Sequence, residues 1–113
     1  MSLQSVIFDL DQTLVDSSAL EPYRKAQLWD VVMGSLDQVA IYPGITELWQ
    51  QCRAANLKIA VFTNSPRRVC EAVLERFNLQ PDAIVAFGEV NFQKPSRAPT
   101  IRACELMGVP AYT

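Results

Sequence analysis

Three short apolar runs, residues 5–10 (SVIFDL), 58–63 (KIAVFT) and 82–87 (DAIVAF), are separated by stretches whose apolar residues recur at helical intervals. A continuous apolar run of this length is buried on both faces, as a strand of a parallel sheet is. Parallel neighbours need a crossover connection, and a helix after each strand supplies it. The order read along the chain is β-α-α-β-α-β-α, an α/β fold in which a three-layer, Rossmann-like parallel sheet carries helices on its faces.

The helices have their own punctuation. Ser18-Ala-Leu-Glu21 reads as a capping box with Pro22 just inside, and Leu20, Tyr23, Leu28, Val31, Val32 and Leu36 follow at helical spacing. One long amphipathic helix to about residue 36 is therefore expected. Tyr42-Pro43-Gly44 breaks that pattern and opens a second helix with Ile45, Leu48, Trp49 and Cys52 inward, ending near Asn56. Ser65-Pro66 reads as an N-cap followed by the first helical residue, and Val69, Cys70, Val73, Leu74 and Phe77 form the inner face of the third helix. A fourth spans residues 99–107 and stops at Gly108. No repeat, low-complexity tract or linker divides residues 1–113, so one domain is expected.

Composition narrows the chemistry. Ten Lys+Arg against twelve Asp+Glu give a net charge of −2 with no basic run, which argues against general nucleic-acid binding. The chain has no histidine, and this removes Ser-His-Asp and Cys-His catalysis and the common zinc ligand sets. What remains must run on carboxylates, hydroxyls, lysines or thiols. Cys52, Cys70 and Cys104 are odd in number and set among apolar neighbours, so they read as reduced core residues of a cytoplasmic protein. Residues 1–4 do not resemble a secretory leader and no apolar stretch is long enough to span a bilayer, so neither secretion nor membrane association is expected.

Ligands of open α/β sheets bind beyond the carboxyl ends of the strands. The first strand delivers Asp9 and Asp11 there, the second Thr63, Asn64 and Ser65, and the third leads through Gly88 to Lys94-Pro95. Asp9 and Asp11 are separated by one residue, so an extended segment turns both carboxylates the same way. Such a pair is costly unless a cation lies between the two or one keeps a proton. A hard, oxygen-lined site of this kind suits Mg²⁺ and a phosphate-bearing substrate. A carboxylate nucleophile, a second carboxyl group and phosphate-binding donors describe phosphoryl transfer through an aspartyl-phosphate. Ser65 reads as a cap alone, and an anionic contact for Arg67 and Arg68 in the first turn of the third helix stays open.

In order and spacing, Asp9-Leu10-Asp11-Gln12-Thr13-Leu14, Thr63-Asn64 and Lys94-Pro95 resemble the first three signature motifs of the haloacid dehalogenase-like hydrolases. The resemblance runs from Val6 to Val109. It implies a Mg²⁺-dependent phosphomonoester hydrolase in which Asp9 attacks phosphorus and Asp11 protonates the leaving oxygen, then activates water. Thr63, Asn64 and Lys94 would hold the phosphoryl group of a small-molecule phosphate ester. The Asp9 carboxylate and the main-chain carbonyl of Asp11 would hold Mg²⁺. A carboxyl group at position 11 points to the phosphatase branch rather than to dehalogenation, and Gln12 falls at a position read as variable.

Two departures accompany the resemblance. The insertion between the first two motifs, residues 16–41, is too short for a full helical cap and reads as a reduced one, leaving the site open to water. The family's fourth motif, an acidic cluster, is expected shortly after Gly108-Val109-Pro110, yet the sequence stops at Thr113. Glu105 lies within a helix and Glu89 matches no ligand position, so neither replaces it. The family's sheet places the strand of that motif beside the first one, so the first strand is expected to be an open edge that pairs with a second copy or another partner. The chain then reads as C-terminally truncated, and the alternative to a hydrolase is a non-catalytic relative that binds phosphate or a protein. A response-regulator-like phosphoacceptor fits less well, because its aspartate ends the third strand and no aspartate follows Asp82.

Overall fold

Strands form where the apolar runs lie, in a computed structural model that describes residues 4–86 and 98–107. In chain order the elements are β1 (Ser5–Asp9), β2 (Val15–Asp16), α1 (Glu21–Lys25), α2 (Trp29–Met33), β3 (Ala40–Ile41), α3 (Ile45–Ala54), β4 (Lys58–Phe62), α4 (Arg67–Arg76), β5 (Ala83–Val85) and α5 (Ala98–Met107). Single 3-10 turns at Ser18–Leu20 and Leu36–Gln38 flank the α1–α2 pair. The main sheet is parallel, in the order β1-β4-β5. Among the described residues no strand lies beyond β1, which holds the edge position expected of it, and all five of its residues are half-buried.

Alternation along the strands divides the core into two layers. Val6, Phe8, Ile59 and Val61 meet Trp49 and Cys52 of α3 and Val69, Cys70, Val73 and Leu74 of α4. On the other face, Ile7, Ala60, Phe62, Ala83 and Val85 meet Ala103 and Met107 of α5. This is the three-layer α/β arrangement read from the sequence. Phe8 and Trp49 stack at 6.0 Å between ring centroids, fastening β1 to α3. Cys52, Cys70 and Cys104 are buried, and none of them forms a disulfide. No helix among the described residues is long and apolar enough to cross a membrane.

The expected long helix does not exist. Its apolar spacing is shared between α1 and α2, and the break falls at Gln27, which takes φ 58°. The Gln27 N–H donates to the Arg24 carbonyl and the Leu28 N–H to the Tyr23 carbonyl, so α1 ends in a Schellman motif. Tyr23, Leu28 and Val31 consequently remain exposed rather than lining a core. The capping box is absent too. Both the N–H and the hydroxyl of Ser18 donate to Asp16 Oδ1, at 3.0 and 2.6 Å, forming a turn ahead of the helix. These bonds, the hydroxyl's first, hold the Asp16 carboxyl below its ordinary value.

Ser65 is not the cap of α4 either, because Pro66, with ψ 153°, is still extended and occupies that position. By contrast Asn56 does close α3, at φ 59° with its N–H on the Arg53 carbonyl, and Asn78 closes α4 in the same way. The sequence reading missed a small antiparallel ribbon. β2 and β3 pair Val15 with Ile41 and Asp16 with Ala40, so the segment carrying α1 and α2 leaves and rejoins the fold at one place. Gly88, Glu89, Lys94, Pro95 and Gly108 lie outside the described residues, as does the side chain of Glu105.

Candidate active site

Parallel pairing sets Asp9 opposite Phe62, so the residues that follow β1 and β4 emerge at the same edge of the sheet. Leu10 keeps the ladder for one more step, its N–H donating to the Phe62 carbonyl at 3.1 Å. The chain then doubles back. The N–H groups of Leu14 and Val15 both donate to the Leu10 carbonyl, and that of Gln12 to the Val15 carbonyl at 2.7 Å. This turn drives Gln12 to φ 61°, a left-handed backbone that favours glycine and strains an L-residue by about 1 kcal/mol. Its side chain is tied down, donating to Ser17 Oγ at 3.3 Å and accepting from the Tyr42 hydroxyl at 3.2 Å. Position 12 is therefore more constrained than the sequence reading held.

The turn delivers Asp11 into a cluster of donors. Ser17 Oγ donates to Asp11 Oδ1 at 2.7 Å, and Arg24 Nη2 lies 2.9 Å from Oδ2. Thr63 Oγ1 also approaches Oδ2, at 3.5 Å. Thr63 is itself fixed twice: its N–H donates to the Val85 carbonyl at 3.0 Å, and its hydroxyl accepts from the Ser65 N–H at 3.0 Å. Thr63 and Ser65 are buried, whereas Asn64 between them is exposed. Ser65 thus orients Thr63 instead of capping a helix.

Asp11, Arg24, Thr63 and Asn64 line one cavity of about 250 Å³. Asp9, half-buried, stands at the end of β1 two residues before Asp11. Lys94 falls outside the described residues. A larger depression of about 520 Å³ opens between α4 and the start of β5, away from the strand ends that carry these groups.

Arg24 is the site residue that sequence reasoning missed. No motif marks it, but one turn earlier Leu20 is fully buried, and a residue four positions on shares that inward face. Arg67 and Arg68 make other contacts. Arg67 Nη2 donates to the Ile84 carbonyl at 2.8 Å, and Arg68 pairs with Asp30 of α2 at 3.2 Å, tying α4 to the inserted segment.

Among the described residues no three His, Cys, Asp or Glu side chains group closely enough to cage a metal. The donors on offer are the oxygens of Asp9 and Asp11. That set fits Mg²⁺, which takes one or two carboxylates and completes its shell with water and substrate. Two acids, a hydroxyl, an amide and a guanidinium at one strand edge can bind and protonate an oxyanion.

A protein-family model for haloacid dehalogenase-like hydrolases matches residues 20–113. The chain belongs to this family. The matched stretch takes in Thr63, Asn64 and Lys94 and begins after Asp9 and Asp11. Solved haloacid dehalogenase-like structures share the fold. One is a superfamily hydrolase from Ehrlichia chaffeensis, 20% identical with a TM-score of 0.72, the match covering 96% of this chain and 75% of that one. A phosphatase of the superfamily from Thermococcus onnurineus is 16% identical with a TM-score of 0.74, covering 95% and 73%. CbbY from Rhodobacter sphaeroides is 18% identical with a TM-score of 0.73, covering 96% and 74%. A search of curated proteins finds no match. These haloacid dehalogenase-like relatives share the parallel sheet whose edge carries the cavity described above.

Proposed function

We propose that this chain is a Mg²⁺-dependent phosphomonoester hydrolase that works through an aspartyl-phosphate on Asp9. The observation that carries the reading is the convergence of Asp11 and Thr63, 3.5 Å apart, at the edge where Asp9 ends β1. CbbY, which shares the fold, was solved in complex with phosphate, and this supports an anion as the ligand.

In the first step an Asp9 carboxylate oxygen forms a bond to phosphorus while the bond to the ester oxygen breaks. Asp11 gives that oxygen its proton, so a neutral alcohol leaves. In the second step Asp11 takes a proton from water, the water oxygen bonds to phosphorus, and phosphate departs from Asp9. Thr63 and Asn64 donate to the phosphoryl oxygens, and Lys94 supplies a point charge. Mg²⁺, held by the Asp9 carboxylate and the Asp11 main-chain carbonyl, would offset the charge of the phosphoryl oxygens. Residues 16–41 serve as a reduced cap, and the substrate is a small phosphate ester.

A second reading has one observation behind it: both carboxylate oxygens of Asp11 are engaged, by Ser17 and by Arg24. A relative that binds phosphate without turning it over would tolerate that arrangement. Phosphate release from an aryl phosphate with Mg²⁺ separates the two. Turnover by the chain that Asp9→Asn lowers at least 1,000-fold supports the hydrolase; folded protein with no release favours the binding relative.

A further inference from the structure

The contacts of Arg24 point beyond the reacting groups to a selectivity that rests on the phosphate-ester reading of the site. Arg24 belongs to the inserted segment, yet its guanidinium reaches 2.9 Å from Asp11 and its side chain is only 19% exposed. A guanidinium carries five donor hydrogens. Here Nη2 serves Asp11 and Nη1 makes a long contact of 3.5 Å with Ser17 Oγ, while the buried Nε has no hydrogen-bond partner. The unpartnered Nε leaves the guanidinium under-satisfied where it stands, and Nη1, with only its long Ser17 contact, retains capacity for a second oxyanion.

Its position gives that capacity a direction. The cavity at Asp11 and Thr63 adjoins a second chamber of about 270 Å³ that Lys25, Gln27 and Trp29 also line. Glu21, Arg24 and Asn64 belong to the walls of both chambers. A phosphoryl group held at Thr63 and Asn64 therefore leaves the rest of its ester to pass Arg24 on the way out. The oxygen of Asp11 that Arg24 holds, Oδ2, is also the one nearest Thr63. An anion that draws the guanidinium away frees this oxygen for proton transfer. Glu21 opposes anions at the same wall, but its carboxylate is paired with Lys25 at 3.2 Å, which leaves the wall's remaining attraction to Arg24.

We infer that Arg24 is a specificity-determining residue that selects phosphate esters whose alcohol part bears a second oxyanion, a carboxylate or a phosphate. A planar fork meets such a group with two parallel hydrogen bonds, which a lysine at this position cannot reproduce.

Non-hydrolysable phosphonates test this without turnover. Dissociation constants of phosphonoacetate, methylenediphosphonate and methylphosphonate are measured calorimetrically on the full chain at one free Mg²⁺ concentration, for the wild type, Arg24→Gln and Arg24→Lys. The expected result is at least tenfold tighter binding of one or both of the ligands that bear a second oxyanion group than of methylphosphonate. That preference should fall below threefold in R24Q and lie between in R24K. Which ligand gains more tells carboxylate from phosphate. No preference in the wild type, or a preference that survives R24Q, overturns the inference.

A second measurement needs no variant. Phenylglyoxal labelling of Arg24, read by mass spectrometry, should be blocked by a preferred ligand and not by methylphosphonate at equal occupancy; equal labelling under both overturns the inference. Hydrolysis is scored apart, with Asp9→Asn as control. A chain that shows the preference but releases no phosphate keeps the specificity role and loses the hydrolase reading.

Discussion

Asp82 joins three elements through one carboxylate. It accepts from the Ile59 N–H at 2.7 Å and from Arg53 Nη1 at 2.6 Å, while its own N–H donates to the Ile59 carbonyl. Burial pushes its carboxyl up, but the Ile59 N–H, the Arg53 guanidinium and the nearby Lys58 outweigh that and hold it below 3.8. A carboxyl depressed in the folded state contributes stability that is complete above its ordinary value and is lost as pH falls through the folded value. Asp82→Asn should therefore lower stability by about 1 kcal/mol at neutral pH, a modest figure because Arg53 is partly in water. Urea titrations should find that difference shrinking below pH 4; a deficit that persists in acid would rule out ionic anchoring. At this scale the reading of Asp9, Asp11, Thr63 and Asn64 from sequence rests on their following apolar strands, where the parallel sheet aligns its ends. Arg24 could not be read that way, because a basic residue on a helix ordinarily faces water and only the three-dimensional path of the inserted segment turns it inward.

Helix ends explain where the element reading held and where it failed. Asn56 announces the end of α3, since asparagine enters the left-handed region readily, and Asn78, not read from the sequence, closes α4 in the same conformation. Gln27 gives no such notice, yet adopts the same conformation at the end of α1 and splits the expected long helix. Gln27→Gly should remove about 1 kcal/mol of backbone strain and give back roughly half of that as unfolded-chain entropy, for a net gain of about 0.5 kcal/mol. A rise in melting temperature of about 2 °C is the expected readout, and a fall would mean that the glutamine side chain supports the turn. The β2–β3 ribbon was unreadable for a different reason: two-residue strands have too little pattern to show alternation. The apolar runs of β1, β4 and β5 were readable because a strand buried on both faces is apolar throughout.

On the scale of the molecule, the two-layered core supports the sheet, and among the described residues β1 forms its edge. The Lys58 N–H donates to the Gln4 carbonyl and the Leu10 N–H to the Phe62 carbonyl, and alternation along a parallel ladder then turns the main-chain groups of Ser5 and Ile7 away from β4. An apolar edge of this kind pairs with other chains. Sedimentation velocity over a concentration series should show species heavier than one chain, and a single monomer boundary throughout would contradict it. The core itself is taut: Leu14 is wholly buried, and Leu14→Ala should cost about 3 kcal/mol in chemical denaturation, whereas a loss under 1 kcal/mol would show that the site collapses to fill the space. Val15 and Ile41 already touch across the ribbon, so whatever lies between them is a loop whose two ends are stapled together. Doubling the length of such a loop adds only about 0.6 kcal/mol of closure entropy. The sheet is a socket and the inserted segment a fitting that can be lengthened at little cost, provided Ser17 and Arg24 keep their hold on Asp11 and Leu20 and Val32 their places in the core.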